Sequence, residues 1–222
     1  MAFIEQLKSQ FEAHKNPSHA LQMQAYMKHL FPFYGIRSPQ RKAILREVFK
    51  AEKEDVNANC RSIVNSLFQM NERELQYCAM EIASKVLRRK YVVSDFEFIT
   101  NLITTKSHWD TVDYIAKHLL GQYILMFWDD RHRLISTLSE ADHMWLNRSA
   151  ILFQLGYKAQ TDEAILFDMC KAHAHSNEFF IKKAIGWALR EYAKTNPHSV
   201  REFTSKVQLK PLSMREALKH IK

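Results

Sequence analysis

Glycine and proline are scarce in this chain of 222 residues, which contains four glycines and five prolines. Both residues interrupt helices, and the alternating β-branched runs that are typical of strands are also rare. The composition therefore excludes an extensive β-sheet and predicts an all-α protein. Only YVVSDFEF, at 91–98, has the character of a strand, and a lone strand would have no partner.

Cysteine is also rare: Cys60, Cys78 and Cys170 are isolated, and no CxxC pair occurs. An odd number of separated cysteines is typical of a reducing compartment and not of a secreted disulfide framework. The sequence has no apolar run as long as the ~18 residues of a membrane helix, and its first residues lack the hydrophobic stretch of a signal peptide. We therefore expect a soluble cytoplasmic protein without a membrane partner.

Motifs for cofactor chemistry are missing as well. The sequence has no glycine-rich phosphate loop, no GxSxG and no HExxH. His173 and His175 are two residues apart, so a helix would point them to different sides. Because a chain of this length buries a sizeable core unaided, we expect no metal ion, no nucleotide cofactor and no other cofactor.

Positive charge is what the chain has in excess. Lysine and arginine total 32 against 24 acidic residues, which gives a formal net charge of +8. Such a surplus suits a polyanionic partner or an anionic membrane surface, but it does not choose between them.

Helical periodicity recurs along the whole chain between short breaks. The segments with this periodicity are 1–15, 18–30, 38–50, 57–70, 72–89, 95–105, 108–126, 129–138, 141–157, 161–175, 177–195, 198–207 and 213–220. Short connections without a low-complexity linker predict one domain, 1–222, built as an α-solenoid of stacked antiparallel helix pairs like those of HEAT repeats. A curved stack would have a concave face, and a basic concave face would suit a duplex.

The stretch SHWDTVDYIAKHLLG reads as an amphipathic helix with a carboxylate at the edge of its apolar face. Its buried stripe is predicted to be Val112, Ala116, Leu119 and Tyr123. Ser107 is predicted as the N-cap of this helix. Asp113 lies about 80° from the centre of the stripe, on the same side as Trp109. It either forms a surface ion pair with Lys117 or has a function at this border.

A second helix, EFFIKKAIGWALREYAK, combines an aromatic residue with a basic row. Lys183, Trp187, Arg190 and Lys194 follow one another at helical spacing, away from the predicted core stripe. Phosphate contact together with aromatic stacking would require such a row. The alternative is that Trp187 packs against a neighbouring helix, with lysine stems around it.

Arg148 interrupts an apolar row in DHMWLNRSAILFQLGYK. A guanidinium is not buried cheaply without a partner. Arg148 therefore pairs with an acid, for which Asp113 is one candidate, or reaches a phosphate, or extends to solvent. Weaker candidates are the cations Arg41, Lys42, Arg46 and Lys50 on one short helix and Lys85, Arg88, Arg89 and Lys90 on another. Either group is a nucleic-acid surface or only a solvated face.

Four stretches resemble one known family. SHWDTVD, WLNRSAILFQL, FFIKKAIGWALREYAKTNP and YMKHLFPFYGIRSPQRK look like segments of the AlkD-type bacterial DNA alkylpurine glycosylases, in the same order and over essentially the whole chain. The resemblance implies a HEAT-like α-solenoid that holds alkylated double-stranded DNA on a concave basic surface. We also expect a monomer, associated with the nucleoid through its DNA.

The resemblance implies roles for individual residues. Asp113 matches the catalytic carboxylate of the family, and Trp109 and Trp187 match the aromatic pair beside the lesion nucleotide. Tyr26, Arg148 and Arg190 match residues at the DNA surface. With the basic row and the short basic helix, the expected DNA-binding residues are Tyr26, Arg41, Lys42, Arg148, Lys183, Arg190 and Lys194.

These roles imply a DNA N-glycosylase of base-excision repair that releases N3- and N7-alkylated purines, such as 3-methyladenine and 7-methylguanine. Such purines are cationic and leave as neutral bases, so one carboxylate suffices where ordinary glycoside hydrolysis uses two. Asp113 would stabilise the oxocarbenium ion and orient or deprotonate the attacking water. Two alternatives stay open: a non-catalytic DNA-binding relative that recognises bent or branched DNA, and a protein-binding HEAT scaffold.

Overall fold

Helices account for all the regular secondary structure of residues 1–221, which the computed structural model describes. The α-helices are α1 Ala2–Ala13, α2 Pro17–Tyr26, α3 Ser38–Ala51, α4 Lys53–Ala58, α5 Cys60–Gln69, α6 Arg73–Val86, α7 Asp95–Thr104, α8 Trp109–Ile115, α9 Gly121–Met126, α10 Arg131–Glu140, α11 Met144–Leu152, α12 Glu163–Ala172, α13 Phe179–Tyr192, α14 Pro197–Lys206 and α15 Pro211–Leu218. Single turns of other helical types span Ala116–Leu120, Trp128–Asp130 and Lys158–Gln160. The described chain contains no strand, so the all-α prediction is confirmed.

The chain forms two compact units, one spanning Met1–Val92 and the other beginning at Val93. In the first unit, α1 packs against α3 and α5 packs against α6. Its core includes Phe3, Leu7, Phe11, Ile63, Leu67, Leu75 and Ile82. The buried Glu74 carboxylate on α6 accepts hydrogen bonds of 2.9–3.1 Å from the backbone N–H groups of residues 34–36, which ties the loop before α3 to this core.

The second unit packs α11 against α10 and α13, and α13 against α15. Its core includes Ile151, Leu152, Leu155, Ile181, Ala184, Ile185, Ala188 and Leu189. Within each unit, helices that are adjacent or next but one in the chain pack together, which is consistent with the predicted HEAT-like fold. The single domain and the concave basic face stay predictions.

Gly186 allows α13 and α15 to approach each other closely. A Cβ atom on Gly186 would lie 2.4 Å from the Cβ of Glu216 and 2.9 Å from the carbonyl oxygen of Ser213, which is too close for either contact. The Ser213 hydroxyl also donates a 3.0 Å hydrogen bond to the carbonyl of Lys182. These contacts fix α15 against the side of α13 that carries the basic row.

The helix predicted over 108–126 is divided in the structure. It runs as α8, a π-helical turn at Ala116–Leu120, and α9. The predicted N-cap is wrong, because α8 begins after His108 and has no side-chain cap. The Ser107 hydroxyl instead donates a 2.6 Å hydrogen bond back to the carbonyl of Ile103 and so satisfies an acceptor at the end of α7.

Candidate active site

A cleft in the second unit brings together side chains from α8, α11, α13 and α15. It has a volume of about 340 Å³ and is lined by Trp109, Asp113, Arg148, Phe179, Phe180, Lys183, Trp187, Arg190 and Glu216. Six of these nine residues are candidates from the sequence, although they come from three separate helices. The cleft therefore joins the edge carboxylate, the off-core tryptophan and the unexpected arginine in one place.

Asp113 and Arg148 form a two-point ion pair at one wall of the cleft. Arg148 donates from Nε to Oδ1 of Asp113 over 2.7 Å and from Nη2 to Oδ2 over 2.9 Å. The Arg148 and Asp113 side chains are only 5% and 15% exposed. The predicted pairing of Arg148 with an acid is thus confirmed, while the surface pair between Asp113 and Lys117 is wrong.

A third hydrogen bond fixes Arg148 from the opposite side. Its Nη1 donates to the backbone carbonyl of Phe180 on α13. The guanidinium is therefore held between α8 and α13, with its fork directed at Asp113 and almost no surface left for solvent. Arg148 therefore does not extend into water, as one of the sequence alternatives had it. Its side chain also has little exposed area with which to contact a phosphate directly.

Two opposing effects set the ionisation of Asp113. Burial raises the pKa of its carboxyl, because the charged form loses solvation. The hydrogen bonds and positive charge of Arg148 oppose that rise, whereas the neighbouring carboxylate of Asp110 adds to it. Arg148 thus favours the anionic state of Asp113.

Aromatic rings cover much of the rest of the cleft. Trp109 and Trp187 are both partly exposed. Trp187 also packs against the core of the second unit, as the alternative interpretation predicts, and its role beside DNA stays a prediction. Phe179, at the start of α13, is 57% exposed.

Phe179 and Phe180 line the cleft, but sequence reasoning does not identify them as site residues. The ring of Phe180 lies 4.9 Å from that of Trp145 and 5.6 Å from that of His108, measured between centroids. The sequence feature that could have indicated them is the pair of adjacent phenylalanines at the start of a basic helix. Helical periodicity alone does not distinguish such a wall from ordinary core.

Glu216 of α15 contacts both cations that flank Trp187 on α13. Lys183 Nζ lies 2.9 Å from its Oε1, and Arg190 Nη1 lies 2.5 Å from its Oε2. Hydrogen bonds and charge from Lys183 and Arg190 lower the pKa of Glu216 to about 2. No sequence signal indicated this residue, because it lies 26 positions beyond Arg190 on a different helix.

The remaining candidates lie outside this cleft. Lys194 follows α13, forms a 2.5 Å ion pair with Glu191 and lines a different cavity. Tyr26, Arg41 and Lys42 belong to the first unit.

Those three residues differ in their accessibility. Tyr26 is 74% exposed and Lys42 is also exposed. Arg41 is buried, where its Nη2 lies 2.7 Å from Oε1 of Glu81. Arg41 therefore has little surface for a ligand.

Residues 1–221 have neither a cluster of metal-binding side chains nor a membrane-spanning helix. This part of the chain contains no group of three or more His, Cys, Asp or Glu side chains placed to hold a metal ion. None of its helices combines the length and the apolar character needed to cross a bilayer.

The fold and the cleft define a class of protein. An all-α scaffold whose cleft combines tryptophan faces, cations and a fixed carboxylate suits a ligand that is both polyanionic and ring-containing, as nucleic acids are. Residues 7–221 match the model of the DNA alkylation repair enzyme family. The chain belongs to this family, which gives it a role in DNA repair with DNA as its partner.

A solved structure supports the same assignment. A predicted DNA alkylation repair enzyme from Enterococcus faecalis is 31% identical, with a TM-score of 0.86 over 93% of this chain and 96% of the other. No curated protein matches the chain. The resemblance drawn from the four sequence stretches is thus confirmed at the level of the family.

Proposed function

We propose that the protein is a DNA N-glycosylase that hydrolyses the N-glycosidic bond of N3- and N7-alkylated purines in duplex DNA. The observation that supports this most directly is the Asp113 carboxylate, held by Arg148 in a cleft that Trp109 and Trp187 also line. The proposal includes a monomeric cytoplasmic enzyme that needs no cofactor. Products would be the free alkylpurine and an abasic site.

The chemistry of the leaving group explains how one carboxylate can be enough. An N3- or N7-alkylated purine carries a positive charge, and the departing base takes the electrons of the glycosidic bond and becomes neutral. It needs no general acid, unlike the leaving group in ordinary glycoside hydrolysis. The positive charge passes to the deoxyribose, where water adds and loses a proton.

Asp113 is suited to the second part of this reaction. Two of its carboxylate lone pairs accept from Arg148, and the others are available to a water molecule or to the developing oxocarbenium ion. A fixed anion beside a cationic transition state stabilises it more than it stabilises the ground state. Arg148 serves as the positioning residue that keeps Asp113 oriented and ionised.

The other cleft residues would bind the nucleotide. Trp109 and Trp187 offer ring faces to the deoxyribose, and this contact becomes more favourable as the sugar gains positive charge. Lys183 and Arg190 would contact backbone phosphates. In the first unit, Tyr26 and Lys42 are accessible to DNA, and Lys194 is accessible in the second.

The decisive experiment incubates the protein with methylated duplex DNA and identifies the released bases by mass spectrometry. Release of 3-methyladenine or 7-methylguanine supports the glycosylase. A neutral lesion in the same duplex should stay in place, because its leaving group would need a proton. Tight binding without release would instead support a non-catalytic DNA-binding relative, and absence of DNA binding would support a protein-binding scaffold.

A further inference from the structure

Glu216 is a second carboxylate in the cleft, and it has no part in the reaction described above. It comes from α15, is 16% exposed, and contacts Lys183 and Arg190 at once. Lys183 and Arg190 remain 39% and 23% exposed, so both cations are accessible to a ligand while they are paired with the carboxylate. A phosphate that approaches them therefore meets cations that already have an anionic partner.

The charges that line the cleft are nearly balanced as a result. Three cations, Arg148, Lys183 and Arg190, face two carboxylates, Asp113 and Glu216. Arg148 and Asp113 neutralise each other, which leaves a net charge of +1 shared among Lys183, Arg190 and Glu216. Without Glu216, the same cations would present a net charge of +2 to a ligand.

Packing holds Glu216 in this position. Its Cβ lies against the bare Cα of Gly186, and the hydroxyl of Ser213, on the same helix, is hydrogen bonded to α13. The carboxylate is thus part of a helix fixed in place, and it does not belong to a loose tail. A phosphate can therefore bind the two cations only by displacing that carboxylate or by sharing the cations with it.

Electrostatic binding to DNA depends on how many cations meet phosphates. Each cation that neutralises a phosphate releases counterions and steepens the fall of affinity with salt by about 0.9 in logarithmic slope. This contribution is sequence-independent, so it strengthens binding to undamaged and damaged DNA alike. A carboxylate that competes for two cations lowers this shared contribution.

We infer that Glu216 restrains the affinity of the cleft for DNA, damaged or undamaged, by competing with backbone phosphates for Lys183 and Arg190. The inference rests on the proposed function insofar as it takes DNA as the ligand of this cleft. Glu216 would thereby make DNA binding depend relatively more on the lesion nucleotide and relatively less on the phosphates that every site offers.

The test compares wild-type protein with Glu216→Gln, which has the same size but no charge. Fluorescence anisotropy with an unmodified duplex is recorded over a range of sodium chloride concentrations. We expect Glu216→Gln to bind this duplex several-fold more tightly at low salt, with a salt slope steeper by about one to two units. The affinity for the methylated duplex should rise by a similar factor, because the phosphate contribution is common to both duplexes.

Glu202→Gln is the matched control. It also removes one negative charge, but from an exposed pair with Lys206 on α14, which is not part of the cleft. Its affinity and salt slope should stay near those of the wild type. An equal gain in both variants would mean that net charge alone is responsible, and the inference would be overturned.

A second comparison asks whether Glu216 acts through Arg190. Arg190→Ala should weaken binding and flatten the salt slope, and the loss should be larger in the Glu216→Gln background, where Arg190 has no competing carboxylate. Equal losses in both backgrounds, or weaker binding by Glu216→Gln itself, would show that Glu216 orders the cations and does not restrain them. If Glu216→Gln proves unstable, Glu216→Asp replaces it: the shorter side chain weakens the contact with the two cations, so this variant should bind the unmodified duplex more tightly than the wild type.

Failure of this inference can be distinguished from failure of the proposed function. Binding to an unmodified duplex needs no base release, so a protein that releases alkylpurines but shows no effect of Glu216→Gln would refute only the inference. Conversely, a steeper salt slope in a protein that releases no base would refute only the glycosylase.

Discussion

Asp113 is the residue on which the proposed chemistry depends most. We predict that Asp113→Asn lowers base excision by about two to three orders of magnitude, because a neutral amide cannot stabilise the developing cation. Affinity for the methylated duplex should stay nearly unchanged, since the side chain is small and mostly buried. Single-turnover release of 7-methylguanine and anisotropy measure the two quantities.

Asp110→Asn is the natural control for this prediction. Asp110 lies in the first turn of the same helix, and it does not line the cleft. Its substitution should leave most of the excision activity. Equal activity in Asp113→Asn and in the wild type would refute the role of Asp113.

Arg148 is predicted to act through the ionisation of Asp113. Burial raises the pKa of the Asp113 carboxyl and Arg148 opposes the rise, so Arg148→Met should raise this pKa further. Because the anion is the active form, activity is present above the pKa and is lost as the pH falls through it. The acid limb of the excision profile should therefore move to higher pH.

Stability gives a second readout for Arg148. Removal of one partner from a buried ion pair costs about 3–5 kcal/mol, which urea unfolding would detect. Arg148→Lys keeps the charge and should restore part of the pH profile, although a lysine cannot donate in the same fork. An unshifted acid limb in a folded Arg148→Met variant would contradict the positioning role.

The sequence predicted some of these residue contacts and not others. Asp113 and Arg148 each violated a helical pattern, one by placing an acid at the core edge and the other by placing a cation in an apolar row. Two such violations can explain each other, so their pairing was foreseeable. Glu216 violates no pattern on α15, and its partners lie on another helix, so only the folded structure identifies it.

At the scale of elements, the packing of α13 on α15 depends on Gly186. We predict that Gly186→Ala destabilises the protein by about 1–3 kcal/mol, since the new Cβ would overlap atoms of α15. Alanine in the middle of a helix is otherwise more favourable than glycine by about 0.5–1 kcal/mol. The sign of the change in the free energy of unfolding therefore decides between packing and helix propensity, and a stabilised variant would contradict the prediction.

Periodicity predicted where helices occur better than how they are divided. The stretch from Trp109 to Met126 was correctly expected to be helical, yet its π-helical turn was not foreseen. Inside this stretch, Gly121 accepts a hydrogen bond from the hydroxyl of Tyr157, and a Cβ at Gly121 would lie 2.5 Å from the carbonyl oxygen of Phe153. These partners are more than 30 positions away, so the local pattern has no information about them.

At the scale of the whole molecule, we predict that the first unit contributes to DNA binding and that the second unit carries the chemistry. Lys42 is exposed in the first unit, whereas every residue that lines the cleft lies in the second. We predict that Lys42→Ala weakens binding by a few-fold and reduces the salt slope by about 0.9. Single-turnover excision at saturating protein should be retained.

The control for Lys42 is Lys8→Ala, which removes an exposed lysine from α1 that was not predicted to bind DNA. It should affect affinity less than Lys42→Ala does. Equal effects of the two variants would show that only the net charge matters. A loss of excision at saturation would place Lys42 in the chemistry.

Composition was sufficient to predict the all-α class but not the boundary between the two units. That boundary falls inside YVVSDFEF, where two apolar β-branched residues resemble the start of a strand. In the structure Val92 and Val93 are 51% and 73% exposed in the connection before α7. A sequence pattern cannot distinguish valines that pair in a sheet from valines that face water in a link.

Gly186 has a consequence that reaches beyond stability. It has no side chain with which to touch DNA, yet it determines where the carboxylate of Glu216 stands relative to Lys183 and Arg190. A substitution that pushes α15 outward would separate that carboxylate from the cations without altering any residue that faces a ligand. A selection for variants that hold undamaged DNA more tightly should therefore recover changes at this buried glycine, which has no surface of its own for a ligand.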